Sequence, residues 1–246
     1  MIRSLRDSTT IRYGSSRHQV ATLRAPARNA DERDGTVAVL HGGSWRWPYG
    51  RAVMRLVVED LRRHGWWVAD VEYRRLGRFG GGGGYPETFD DIVDAIGAVE
   101  ELRSARTAVV GHSAGGHLAL ATAPRLSASV DLAGVVALAA PTDLRRIVET
   151  GQEEATALTA GAPEPDRWAL TSPIHMLPLG VPVTLVHSRD DATVPSRRSE
   201  EYADAALAAG DRVRLELIDD ETHRDAIKPS SATWTAARTA VADLLA

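Results

Sequence analysis

Thr107-Ala108-Val109-Val110-Gly111-His112-Ser113-Ala114-Gly115-Gly116-His117-Leu118-Ala119-Leu120 passes from a short β-branched and apolar segment, through a turn, into an apolar helical pattern. Ser113 sits in the turn with glycine two positions to either side, the arrangement of a nucleophile elbow. A serine at the tip of a strand-to-helix turn adopts a strained backbone conformation. The residues two before and two after it then pass so close that a Cβ on either would collide. Gly111 and Gly115 remove that collision, and Gly116 lets the helix pack close. The helix start also leaves unpaired N–H groups and a partial positive charge beneath the hydroxyl. Ser113 is therefore the expected nucleophile. The competing reading is a glycine-rich turn carrying an ordinary surface serine, and the rest of the chain has to separate the two.

Upstream, Gly35-Thr36-Val37-Ala38-Val39-Leu40 reads as a buried strand running into the loop His41-Gly42-Gly43-Ser44-Trp45. Acyl transfer through serine needs N–H donors aimed at the carbonyl oxygen as it becomes an oxyanion, and adjacent glycines let backbone amides approach a substrate closely. The N–H of Ala114, directly after the nucleophile, is one expected donor. The others are expected from Gly43 together with either Gly42 or Ser44. His41 reads as a support for the loop.

Downstream, a serine nucleophile needs a histidine to take its proton and a carboxylate to hold that histidine in the right tautomer. Of eight histidines only His223 follows the last predicted strand, Arg212–Ile218, where the base of such a fold belongs. For the acid, Asp190 and Asp191 compete in the loop after the strand that begins at Val181 and ends at His187, with Asp143 as an outsider after an earlier strand. Neighbouring loop residues tend to point to opposite sides, so one of Asp190 and Asp191 should face His223. Residue chemistry alone does not choose between them.

Between these segments, apolar strands alternate with amphipathic helices. Helical spacing marks Tyr49–His64, Glu87–Arg103, Ser196–Ala209 and Thr233–Ala246, and Trp66–Tyr73 and Leu132–Ala139 read as further strands. Two weaker strands, around Thr9–Tyr13 and His18–Leu23, would start the sheet in antiparallel fashion. The expected fold class is α/β, a doubly wound and mainly parallel sheet with helices on both faces, built as one domain over residues 1–246. Residues 143–180, holding Trp168, His175 and Met176, read as a short lid-like insertion. Gly80 to Gly84 lack the Lys-Ser/Thr of a phosphate cradle and read as a mobile surface loop.

Composition narrows the chemistry. The absence of cysteine excludes disulfides, thiolate nucleophiles and Cys-based metal sites, and no His-x-x-x-His pair with a helical Glu appears, so neither a metal nor a cofactor is expected. A net charge of −4 is too mild to argue for nucleic acid or an anionic membrane surface, and neither is expected as a partner. No long apolar run occurs, and the N-terminal Met1–Asp7 is charged and lacks a signal-like apolar stretch, so a soluble, cytoplasmic protein is expected.

On these residues the chain resembles the α/β-hydrolase superfamily, and within it the compact esterases and kynurenine formamidases. The family's oxyanion loop H-G-G-x-W matches His41 to Trp45, its elbow G-H-S-A-G-G-H matches Gly111 to His117, and its acid loop H-G-x-x-D-x-x-V-P matches His187 to Pro195. Its histidine segment G-H-x-D-x-I matches Thr222 to Ile227. The resemblance implies Asp191 as the acid and Trp45 as a residue bordering the substrate, with packing under the loop as the other place open to that aromatic. Ser188 and Thr222 depart from the pattern, each standing where the family usually has glycine. The implied activity is a cofactor-independent serine hydrolase acting on a small carboxylic ester or an aryl amide such as a formamide. Thioesterase or acyltransferase chemistry through the same acyl-enzyme, and a non-catalytic ligand-binding homologue, are the alternatives.

Overall fold

The computed structural model describes residues 8–246. The expectation for Met1–Asp7 lies outside the described residues. The apolar runs form β1 (Ser8–Arg12), β2 (Val20–Arg24), β3 (Thr36–Leu40), β4 (Trp67–Glu72), β5 (Thr107–His112), β6 (Leu132–Leu138), β7 (Val183–Ser188) and β8 (Val213–Ile218). They make one eight-stranded sheet in the order β1-β2-β4-β3-β5-β6-β7-β8. The pairs β1–β2 and β2–β4 are antiparallel, and every later pair is parallel. This is the expected α/β-hydrolase arrangement, with its antiparallel start.

Side-chain alternation divides the core in two. Leu40, Val109, Val135, Ala137 and Leu185 face one side, against α2 (Glu87–Leu102), α3 (Ala114–Ser127) and α7 (Arg197–Ala208). Val37, Val39, Val110, Val136, Leu138 and Val186 face the other, against α1 (Arg55–Arg63) and α8 (Ala232–Leu244), whose Trp234 is fully buried. Central strands buried on both faces must be apolar throughout, which is why β3 and β5 carry no alternation in the sequence.

Two expectations need correction. The glycine run is pinned: Gly83 N donates to the Arg75 carbonyl at 2.8 Å, Arg75 N donates to the Gly80 carbonyl at 2.7 Å, and Gly80 is buried. The segment between β6 and β7 folds into α4 (Leu144–Glu149), α5 (Glu153–Thr159), α6 (Arg167–Thr171) and a 3-10 turn at Pro173–His175. It packs beside α2 and α3 through Leu144, Ala155 and Leu158, with the Thr171 carbonyl accepting from His117 at 2.8 Å. None of its residues lines the cavity described below, so it does not roof the substrate site as a lid. Among the described residues no helix is long and apolar enough to cross a membrane.

The register places the functional loops together. Leu40 pairs with Gly111, so the loop after β3 leaves the sheet beside the elbow. Ser188 pairs with Ile218, so the loops after β7 and β8 emerge side by side. All four open at the carboxyl ends of parallel strands, where open α/β sheets form their clefts.

Candidate active site

At the elbow, Ser113 has φ 53° and ψ −121°, a conformation that L side chains rarely adopt. Its backbone N–H is held by the Leu138 carbonyl at 2.8 Å. A Cβ on Gly111 would lie 2.2 Å from the Gly115 carbonyl oxygen, and one on Gly115 would lie 2.3 Å from the Leu40 carbonyl oxygen. The turn therefore closes only with glycine at both positions. The Ala114 N–H, at the first position of α3, has no hydrogen-bond partner among the described residues.

The loop after β3 is held from beneath. His41 meets the Gly42 carbonyl at Nδ1 (2.8 Å) and Glu72 at Nε2 (2.9 Å), its ring stacks on Tyr73, and the Tyr73 hydroxyl donates to the His41 carbonyl at 2.6 Å. Burial pushes the Glu72 carboxyl up, but the His41 hydrogen bond and the Arg75 charge outweigh it and hold it below the usual range. Gly43 has φ 117° with Tyr49 packed against its open side, a place no side chain could occupy. Ser44 and Trp45 follow at φ 50° and 55°, two consecutive non-glycine residues in the left-handed region. The N–H groups of Gly42, Gly43 and Ser44 have no partner among the described residues. The loop lies on Ser113: a Cβ on Gly42 would stand 3.1 Å from Ser113 Cβ.

The same left-handed pair turns Trp45 inward. Its ring is 4% exposed, edge-on to His117 at 5.2 Å, within the core beside α3. The expectation that Trp45 borders the substrate is thus corrected; it packs under the loop.

His223 Nδ1 lies 2.6 Å from Asp191 Oδ2. Asp191 Oδ1 accepts from Thr193 N at 2.8 Å and Val194 N at 2.9 Å, and His187 Nε2 lies 3.3 Å from Oδ2 while also donating to the Val194 carbonyl. Burial raises the Asp191 carboxyl, but hydrogen bonds from His187, His223 and Val194 more than offset it and hold it well below the usual carboxylate range. Asp190 instead points outward and accepts from Asp220 N at 2.8 Å. The structure therefore brings Asp191 to His223, and Asp190 away from it. With Nδ1 facing a carboxylate, His223 carries its proton there and leaves Nε2 able to accept.

Three features escaped the sequence reading. The His112 ring packs on His223 with centroids 4.7 Å apart, and its Nε2 donates to the His223 carbonyl at 3.0 Å, holding the backbone of that residue. Ser188, where glycine is usual, donates its hydroxyl to the Glu221 carbonyl and so ties the acid loop to the histidine loop. Thr222, the other departure, bonds Asp225 Oδ2 through both N and Oγ1 at 2.6 Å. The neighbouring position of His112 in the elbow was a signal, and so was the i, i+3 spacing of Thr222 and Asp225; the Ser188 contact depends on the β7–β8 register.

Gly42, Gly43, Ser44, His112, Ser113 and His223 line one cavity of about 430 Å³, completed by Arg46, Tyr49, Val53, Thr193, Arg224 and Ile227. That size suits a small organic substrate. A second cleft of about 510 Å³ between β8 and α8 holds no histidine beside its serines and threonines, and its Arg214 is already paired with Glu216 and Asp243.

The profile of BD-FAE, an α/β-hydrolase-type esterase family, matches residues 23–206. The chain belongs to the BD-FAE family. The BD-FAE match spans β2 into α7 and includes Ser113 and Asp191. It ends before His223, which joins the site through its hydrogen bond to Asp191. No curated protein sequence matches significantly. Among solved structures, esterase B from Lactobacillus rhamnosis HN001 superposes with a TM-score of 0.80 at 17% identity, covering 98% of this chain and 86% of that one. A truncated carbohydrate esterase from gut microbiota gives 0.81 at 17% identity, covering 98% and 97%. Thermogutta terrifontis esterase 2, phosphoramylated by tabun, gives 0.75 at 21% identity, covering 99% and 95%. At these identities the likeness establishes the fold of this BD-FAE member.

Burial also sets how stability responds to acid. It pushes His112 down to about 3, helped by the neighbouring His223, and His117 down to about 4. Both are therefore neutral in the folded protein near pH 7. Between the ordinary histidine value near 6.5 and these folded values the unfolded chain binds more protons, so stability falls as pH falls. By pH 5 each contributes a loss of about 2 kcal/mol. A Tm series from pH 7.5 to 5 should fall steadily, and His117→Gln should flatten it; an unchanged slope in that variant would contradict the assignment.

Proposed function

We propose that this BD-FAE member is a serine hydrolase of small carboxylic esters, with aryl formamides as the candidate amide substrates. The observation that carries the reading is the His223–Asp191 hydrogen bond of 2.6 Å in the loops beside an elbow serine at φ 53°. In the proposed reaction Ser113 Oγ attacks the carbonyl carbon while His223 Nε2 takes its proton, and the resulting oxyanion is met by the N–H groups of Ala114, Gly43 and Gly42 or Ser44. Collapse of the tetrahedral intermediate breaks the bond to the leaving group, which receives the proton from His223. Water, activated by the same histidine, then releases the acid and restores Ser113. Asp191 keeps the histidine oriented and stabilises its imidazolium form throughout.

Three of the unpartnered N–H groups, those of Gly42, Gly43 and Ala114, support this reading independently, because buried or half-buried backbone donors seldom go without a partner unless a ligand supplies one. The phosphoramylated form of the Thermogutta esterase suggests the test. A small fluorophosphonate should add one phosphonyl group to the wild-type protein, located on the Ser113 peptide by mass spectrometry, and none to Ser113→Ala. A wild-type protein that stays unlabelled at Ser113 would overturn the nucleophile assignment.

A further inference from the structure

The cavity at Ser113 carries two guanidinium groups, Arg46 and Arg224, and no carboxylate among its lining residues, in a chain whose net charge is −4. The two cations stand in different situations. Arg46 is 2.7 Å from Glu154 on α5, an ion pair with both side chains substantially exposed and so weak and exchangeable. Arg224 is exposed, and its guanidinium has no hydrogen bond or ion pair among the described residues.

The isolation of Arg224 is built into its surroundings: the carboxylates of Asp190, Asp191, Asp219, Glu221 and Asp225 in the two loops are already engaged, and that of Asp220 makes no ion pair with Arg224 among the described residues. Asp225, the next residue, is held by Lys228 and by Thr222 through N and Oγ1. Glu221 caps α8, accepting from Ala232 N at 2.6 Å and Thr233 N at 3.0 Å. Asp190 accepts from Asp220 N, Asp219 pairs with Arg189 at 3.1 Å, and Asp191 serves His223. A planar guanidinium at the mouth of a cavity, with no anion of its own, matches a carboxylate that arrives from solution.

Its side of the cavity can also be specified. The histidine that takes the serine proton returns it to the departing group, so the leaving group departs on the His223 side. Arg224 follows His223 directly and lines the same cavity. We infer that the natural substrate is an ester whose leaving group bears a carboxylate, recognised by Arg224 with help from Arg46. Tyr49, Val53 and Ile227 supply an apolar wall for the body of that group. This inference rests on the serine hydrolase reading above and adds the substrate's charge to it.

A matched pair of acetyl esters tests it: 4-acetoxybenzoate, whose leaving group is anionic, and 4-acetoxybenzamide, its neutral counterpart. Their intrinsic reactivities differ, so the informative quantity is the benzoate-to-benzamide ratio of kcat/KM, compared between wild type and variants. Arg224→Gln should lower that ratio about tenfold, chiefly through KM for the benzoate, the size expected for one charge-assisted contact at a partly exposed site. Arg224→Lys should retain more of the ratio, and 0.5 M NaCl should shrink it in wild type more than in Arg224→Gln. An unchanged ratio in Arg224→Gln, with both esters turned over by wild type, would overturn the anion site and leave the hydrolase standing. A wild type that cleaves neither ester and takes no label at Ser113 would overturn both.

Discussion

Ser113→Ala is expected to lower kcat for ester hydrolysis by a factor of about 10³ to 10⁶ while leaving the protein folded. The size follows from what one atom supplies. Without Oγ there is no acyl-enzyme, and His223 and Asp191 are left oriented around a missing nucleophile, so their contributions vanish with it. What remains is substrate binding and the N–H groups of Ala114 and the Gly42–Ser44 loop, which could still assist attack by water. The fold should survive because Ser113 is held by its backbone: its N–H bonds the Leu138 carbonyl, its carbonyl accepts from His117 N at 3.0 Å, and its hydroxyl has no partner among the described residues. Alanine at φ 53° carries the same backbone strain as serine, so Tm should shift by no more than about 2 °C. Steady-state hydrolysis of a short-chain ester, measured beside a melting curve, checks both parts. Hydrolysis within tenfold of wild type would sink the mechanism.

How far the sequence could be read depended on the range of the interactions involved. The strands were legible because central parallel strands are buried on both faces and so appear as unbroken apolar runs, as in Thr36–Leu40 and Thr107–His112. The elbow was legible because the glycine requirement is local: Gly111 and Gly115 touch each other within one turn. Trp45 was misplaced for the opposite reason. Whether a loop aromatic faces solvent or core is set by two left-handed residues in succession, and nothing in Ser44-Trp45 announces that conformation, since neither is glycine. The glycine run after Gly80 was misread because flexible composition says nothing of the Arg75 backbone that pins it. Ser188 and Thr222 looked like losses when set beside a pattern of glycines. In the folded chain they supply hydrogen bonds that a glycine could not, and their partners come from another loop or from a residue three positions along. The choice between Asp190 and Asp191 likewise needed the third dimension, where one accepts from a backbone amide and the other from a histidine ring.

Asp191→Asn should lower kcat by about 10⁴ with little change in KM, because the site at Asp191 presents only donors. His223 Nδ1 approaches Oδ2, with His187 Nε2 further out, while Thr193 N and Val194 N both reach Oδ1. A carboxylate accepts all of these, whereas an asparagine must place its NH₂ on one side or the other. With NH₂ toward Thr193 and Val194, two backbone donors face a donor, and the loop that positions residue 191 is disrupted. With NH₂ toward His223, the imidazole must accept at Nδ1 and carry its proton on Nε2, the tautomer that cannot take a proton from Ser113. Either arrangement removes the base, and the first also costs about 1–3 kcal/mol of stability. The pH dependence separates electrostatics from packing. The Asp191 carboxyl titrates lower in the folded protein than in the unfolded chain, so its ionised form stabilises the fold above the ordinary carboxylate value of 3.8, and that stabilisation is lost as pH falls below it. The asparagine of the variant cannot ionise, so the stability gap between wild type and Asp191→Asn should be constant from pH 7 to 5 and narrow below about pH 4. Denaturant unfolding at a series of pH values measures that gap. A gap that stays constant through pH 3 would show that packing, with no electrostatic part, is what the carboxylate contributes.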